Sequence, residues 1–137
     1  MSIFRATTQT IIAPTALTTS YVNSQPINVE GYSDMIVEIT YLTGAAETNN
    51  SVNLQILTSN DLNTDLYYMT TAAESTGTVT LTPATWVFTG ASAATTYKFA
   101  FPVSLEDKFL VFSVKEDGVA SNAGTLTLKI VLVDKFH

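Results

Sequence analysis

The chain has no cysteine and a single histidine, which is its last residue, His137. Without cysteine there is neither a disulfide nor a thiolate metal site, and the lack of disulfides leans towards folding in a reducing cytoplasm. One histidine cannot supply a histidine-based triad or a multi-histidine metal centre. Charge is also scarce, at 13% of residues, with six basic side chains against twelve acidic ones and a net charge of −6. The basic residues are Arg5, Lys98, Lys108, Lys115, Lys129 and Lys135, and they form no stripe. A nucleic-acid backbone calls for clustered cations, so no nucleic-acid partner is expected. The longest apolar runs, 109–112 and 130–133, are too short to span a membrane. The N-terminal residues lack a charged segment followed by an apolar core, so no signal peptide is expected. No glycine-rich phosphate loop occurs.

What the chain does hold is material for sheets. Apolar residues make up 46% of it, and threonine occurs 23 times. Together with Val, Ile, Tyr and Phe this suits pleated strands. At 137 residues one domain is expected, an extended N-terminal arm over residues 1–15 and a sandwich over 16–137. Residues 125–133 alternate, with Leu126, Leu128, Ile130 and Leu132 on one face and Thr125, Thr127, Lys129 and Val131 on the other. That is the period of a strand with one buried face. Residues 108–116 are apolar on both faces at the centre, as in a strand covered on both sides. Turn residues between them, Asp117-Gly118 and Asn122-Ala123-Gly124, suggest a hairpin-like pair. Further strands are expected at 16–22, 27–29, 35–42, 52–58, 66–71, 78–81, 85–89 and 96–101. Pro14 is expected to break pairing near the N-terminus. Short strands at this spacing, with no sustained helical period, predict an all-β, single-domain antiparallel β-sandwich. A jelly roll is the preferred topology, and an immunoglobulin-like sandwich is the alternative.

Catalytic and metal-binding constellations are weak. Asp61-x-Asn63-x-Asp65 matches the opening of a calcium loop, but Leu66 stands where the sharp turn needs glycine, and Ala72 where a bidentate glutamate closes the site. An Asx-rich turn accounts for it more simply. Carboxylate pairs such as Glu30 with Glu38, or Glu106 with Asp107, read as surface charges. No catalytic residue, metal or cofactor is expected, and the protein is read as no enzyme. Trp86, Tyr67 and Tyr68 are the candidates for a sugar-stacking platform, with core or interface packing the simpler reading. Trp86 and Phe88 share strand parity and should face the core, whereas Tyr67 and Tyr68 must point oppositely. Ile3, Phe4, Arg5, Ile11 and Ile12 in the arm, with Tyr67 and Tyr68, are the candidate protein-interaction residues.

The order of segments carries a resemblance. Val29-Glu30-Gly31-Tyr32 leads into the strand Met35 to Tyr41 and a small polar loop. Val52 to Thr58 then runs into Ser59-Asn60-Asp61 and Leu66-Tyr67-Tyr68, and two long strands end the chain. Over residues 27–133 this resembles the small β-sandwich virion proteins of tailed bacteriophages, of the head decoration, cement or head-fibre base type. The chain departs from them at 62–66, where a glycine and a tryptophan often precede the tyrosine. The resemblance implies a structural virion protein, a capsid decoration or auxiliary subunit that stabilises the shell or an adjoining head or tail surface. Implied partners are the major capsid protein or other virion proteins and further copies of the chain. The implied location is the virion, assembled in the host cytoplasm. A carbohydrate- or receptor-binding sandwich is the alternative function.

Overall fold

A computed structural model describes residues 3–60, 65–106 and 108–136. Its strands are β1 (Ile3–Ala16), β2 (Val22–Asn23), β3 (Ile27–Asn28), β4 (Asp34–Leu42), β5 (Asn50–Ser59) and β6 (Tyr67–Tyr68). They continue with β7 (Thr70–Ser75), β8 (Thr78–Pro83), β9 (Trp86–Gly90), β10 (Thr96–Ser104), β11 (Phe109–Asp117) and β12 (Thr125–Phe136). One sheet has the order β1-β12-β4-β10. The other has the order β2-β11-β5-β6, with β3 also on β11 and β9 also on β5. All of these pairings are antiparallel.

The pairings nest from the outside of the chain inward: first strand with last, β2 and β3 with β11, β4 with both β10 and β12, β5 with β9. A long hairpin rolled up in this way is a jelly roll, which answers the choice against the immunoglobulin-like order. The fold is an all-β sandwich.

The core lies between the sheets. From β4 come Met35, Val37, Ile39 and Tyr41, and from β12 Leu126, Leu128, Ile130 and Leu132. Val52, Leu54 and Ile56 of β5 face them, with Leu110, Phe112 and Val114 of β11. Each set has the two-residue period of one strand face. β11 is buried on its other face as well, where Val111 lies opposite Leu57.

Two expectations are corrected. The runs 108–116 and 125–133 do not form a hairpin: β11 and β12 belong to opposite sheets, and residues 118–124 carry the chain across the sandwich. Each long strand instead finds a distant partner, β12 pairing with β1 and β4. Nor does Pro14 end pairing. β1 runs alongside β12 as far as Ala16, with register shifts between Thr10 and Ile12 and between Ile12 and Thr15. Bulges on an edge strand are where proline is tolerated, because its missing N–H faces no partner.

One long side of the sandwich is closed by rings. Trp86 and Phe88 of β9 face β10 across the gap between the sheets. Trp86 stacks on Phe101 with ring centroids 5.2 Å apart, and Phe88 lies 5.0 Å from Phe99. At the opposite side, between β1 and β2, a cavity of about 280 Å³ is lined by Ile12, Leu17, Val22, Val114 and Leu126 among others.

Candidate interaction surfaces

Each sheet ends in strands with an open edge among the described residues, and the positions nominated from sequence lie on such strands. Residues 3–15 of the expected arm 1–15, together with Ala16, form the edge strand β1 on β12 of the same chain. Ile3, Phe4 and Arg5 pair through their backbones with Phe136, Lys135 and Asp134. Ile11 and Ile12 are half-buried and pack against the core. Between them, Thr7 to Thr10 are exposed on both faces, although they run beside the buried Ile130 and Leu132.

Tyr67 and Tyr68 stand on the short β6 at the far edge of the other sheet, 65% and 49% exposed. Tyr68 pairs with Leu57 and Tyr67 with Thr58, so the two rings leave opposite faces of one strand. They do not combine into a flat platform. Trp86 is held in the ring stack with Phe101, half-buried. Of the Asp61-x-Asn63-x-Asp65 pattern, Asp61 and Asn63 lie outside the described residues, as do Asp107 and His137.

Sequence reasoning missed the ribbon that leaves the sheet between β6 and β9. At its base the Met69 N–H donates to the Ile56 carbonyl (2.9 Å) and the Ala84 N–H to the Met69 carbonyl (2.7 Å). From there β7 and β8 pair only with each other among the described residues, and every residue in them is exposed. Thr76 and Gly77 join them, both at positive φ (52° and 78°). Such a two-residue turn matches the twist of the flanking strands, and glycine takes the second position without strain.

The end of the sandwich near residues 43–49 and 118–124 is fastened by two carboxylates. Glu47 accepts N–H bonds from Ala120 (3.2 Å), Ser121 (2.6 Å) and Asn122 (2.7 Å). Those donors, Asn122 foremost, favour the charged form and hold its pKa down to about 2. Glu116, on the inner face of β11, is fully buried; its carboxylate accepts from the Tyr41 hydroxyl and from the Gly124 N–H (2.8 Å). Burial, then the bond to Glu116, raises the Tyr41 pKa far above the ordinary phenol range and keeps the hydroxyl a donor. Gly124 is required by space: a Cβ there would lie 2.7 Å from Glu116 Oε2, the Leu42 carbonyl and the Tyr41 ring. These groups tie connectors together, and their donors and acceptors are spent on the fold itself.

No protein-family model matches the sequence, and neither does any curated protein. Among solved structures the fold is similar to that of SPBc2 prophage-derived protein YomS, with 14% identity over 96% of both chains and a TM-score of 0.49. It is also similar to a chain in the structure of infectious bursal disease virus Gx strain, with 10% identity and a TM-score of 0.50. That match covers 96% of this chain but only 36% of the viral one. A carbohydrate-binding module from Cellvibrio mixtus lichenase 5A, in complex with cellotriose, aligns over 96% of this chain and 88% of its own. Its identity is 13% and its TM-score 0.41. At 10% identity the likeness to the viral chain is one of fold alone.

Proposed function

We propose that this protein is a non-enzymatic structural subunit of a virus particle, a decoration or auxiliary protein that binds a shell or adjoining head or tail surface. The observation that carries the reading is the outer edge of β1. Among the described residues no strand pairs with that edge along its 14 residues, and Arg5 is its single charged residue. Natural edge strands are commonly guarded by charges, bulges or covering loops. Here the bulges fall in the second half of β1, which leaves residues 3–10 open to accept a strand from a neighbouring protein. Fold likeness to a chain of a virus supports the reading at the level of architecture. The scarcity of charge supports it as well, because a surface meant to be covered has less need of it.

The experiment is quantitative mass spectrometry on purified particles from the source, with this chain measured against the most abundant shell protein. A ratio near a simple fraction or multiple is expected for a lattice component. A few copies per particle would move the subunit to a collar, portal or tail position. Absence from the particles would overturn the reading, and a glycan screen would then test the sugar-binding alternative.

A further inference from the structure

The ribbon of β7 and β8 points to a second site, distinct from the β1 edge. Its register pairs Ser75 with Thr78, Glu74 with Val79, Ala73 with Thr80, Ala72 with Leu81, Thr71 with Thr82 and Thr70 with Pro83. One face therefore carries Thr70, Ala72, Glu74, Val79, Leu81 and Pro83. The other carries only Thr, Ala and Ser, with the Thr71 and Thr82 hydroxyls 3.0 Å apart. Val79 and Leu81 are 59% and 63% exposed. A two-stranded hairpin standing alone is marginal in water, so this one is short of a partner.

The register also shows which backbone groups point outward. A two-residue turn is closed by a hydrogen-bonded pair, here Ser75 with Thr78, and such pairs then alternate along the ladder. The outward groups are thus those of Thr70, Ala72 and Glu74 on β7, and of Val79, Leu81 and Pro83 on β8. Pro83 has no N–H, so the β8 edge is interrupted, whereas the β7 edge is complete.

We propose that the β7 edge is a homodimerisation site, taken by β7 of a second copy in antiparallel register about a two-fold axis. Ala72 then faces Ala72 of the second copy, and Thr70 faces its Glu74, in three hydrogen-bonded pairs. Charge favours this occupant. The chain carries −6 overall, which opposes self-association, but the ribbon's only charged residue is Glu74, and this register sets each Glu74 against a threonine. Symmetry favours it too. Pairing β7 with β8 of the next copy would meet Pro83 and would propagate without closing, whereas β7 with β7 closes at two. The product is a four-stranded sheet whose apolar faces are continuous across the axis.

The test uses the full chain in solution and is independent of any particle, so its failure would not touch the virion reading. Sedimentation equilibrium should show concentration-dependent association from 14.8 kDa to twice that mass, in the micromolar range expected of a small interface. Ala72→Pro removes a central outward donor without removing a bond of the ribbon itself, and should weaken dimerisation at least about tenfold. Val79→Pro makes the same change on the β8 edge and should leave the dimer intact. Hydrogen exchange should show the Ala72 and Glu74 amides protected in concentrated samples and fast in dilute ones. A monomer at the highest soluble concentration would overturn the proposal. So would a dimer that survives Ala72→Pro, or one whose β7 amides exchange freely.

Discussion

The contact between Tyr41 and Glu116 joins the two sheets through the core, Tyr41 from β4 and Glu116 from β11. Both side chains are fully buried. Tyr41→Phe keeps the ring and removes only the hydroxyl, so packing is preserved while one carboxylate oxygen loses its donor in a dry place. Hydrogen bonds to charged groups contribute about 1.5–3 kcal/mol, and a buried acceptor left unmatched costs its desolvation. A loss of about 2–3 kcal/mol is therefore expected. At roughly 4 °C per kcal/mol for a domain of this size, the midpoint should fall about 8–12 °C. Glu116→Gln should cost less, under about 1 kcal/mol, because the amide still accepts from Gly124 and donates to the tyrosine oxygen. Urea unfolding followed by tryptophan fluorescence measures both, with unchanged m values confirming that the native surface is kept. A Tyr41→Phe loss below about 0.5 kcal/mol, or a Glu116→Gln loss larger than it, would refute the assignment of this pair as a cross-sheet tie.

Three other outcomes follow from the same geometry. Glu47 has its folded pKa lowered to about 2, against an ordinary value of 4.5. Its stabilisation is thus complete above the ordinary value and is lost as pH falls towards 2; Glu47→Gln should flatten that part of the acid-unfolding curve. Gly124→Ala forces a methyl against a backbone carbonyl and a buried carboxylate, so a loss of about 1–3 kcal/mol is expected in thermal unfolding. Removing residues 1–10 takes away the first half of β1 but spares Ile11 and Ile12, so the remaining domain should stay cooperative in calorimetry, and under the proposed function particle binding should weaken.

Parity was legible in the sequence because it is local. The alternation at 126, 128, 130 and 132, and the two-sided burial of β11, both appear as read. Partnership was not legible, because β12 pairs with residues from 83 positions away (Leu42 with Thr125) to 133 (Ile3 with Phe136). The connector 118–124 is long enough to turn back within a sheet or to cross between sheets, and only the competing pairing of β12 with β1 and β4 decides. The ribbon was hidden for a different reason. Thr-x-Thr alternation looks the same whether the apolar residue is buried or exposed. Thr76-Gly77 between two β-prone runs was the available signal, since a two-residue glycine turn fixes a hairpin. Glu116 could have been found by parity, sharing the inner face with Leu110, Phe112 and Val114. Glu47, a lone carboxylate in a polar loop, gave no such signal, because its donors are the backbone of a loop that the fold brings to it.

The distribution of these features bears on how the molecule presents itself. Glu47 and Glu116 spend their oxygens on residues 120–124, and the rings of β9 and β10 shut one side. A polar atom already matched inside the fold offers little to a partner, because recruiting it would first break a bond of comparable strength. Among the described residues, open main chain remains at strand ends of the sheets, the outer edges of β1 and β7 among them. Backbone edges recognise strands rather than small molecules, and they read little side-chain chemistry beyond the absence of clashing charge. On the proposed readings, these two edges, remote from each other along the sequence, join a copy of the chain at one and a different protein at the other. The two contacts are therefore separable, and disabling the ribbon edge should leave the β1 contact its own affinity while removing the avidity that pairing confers.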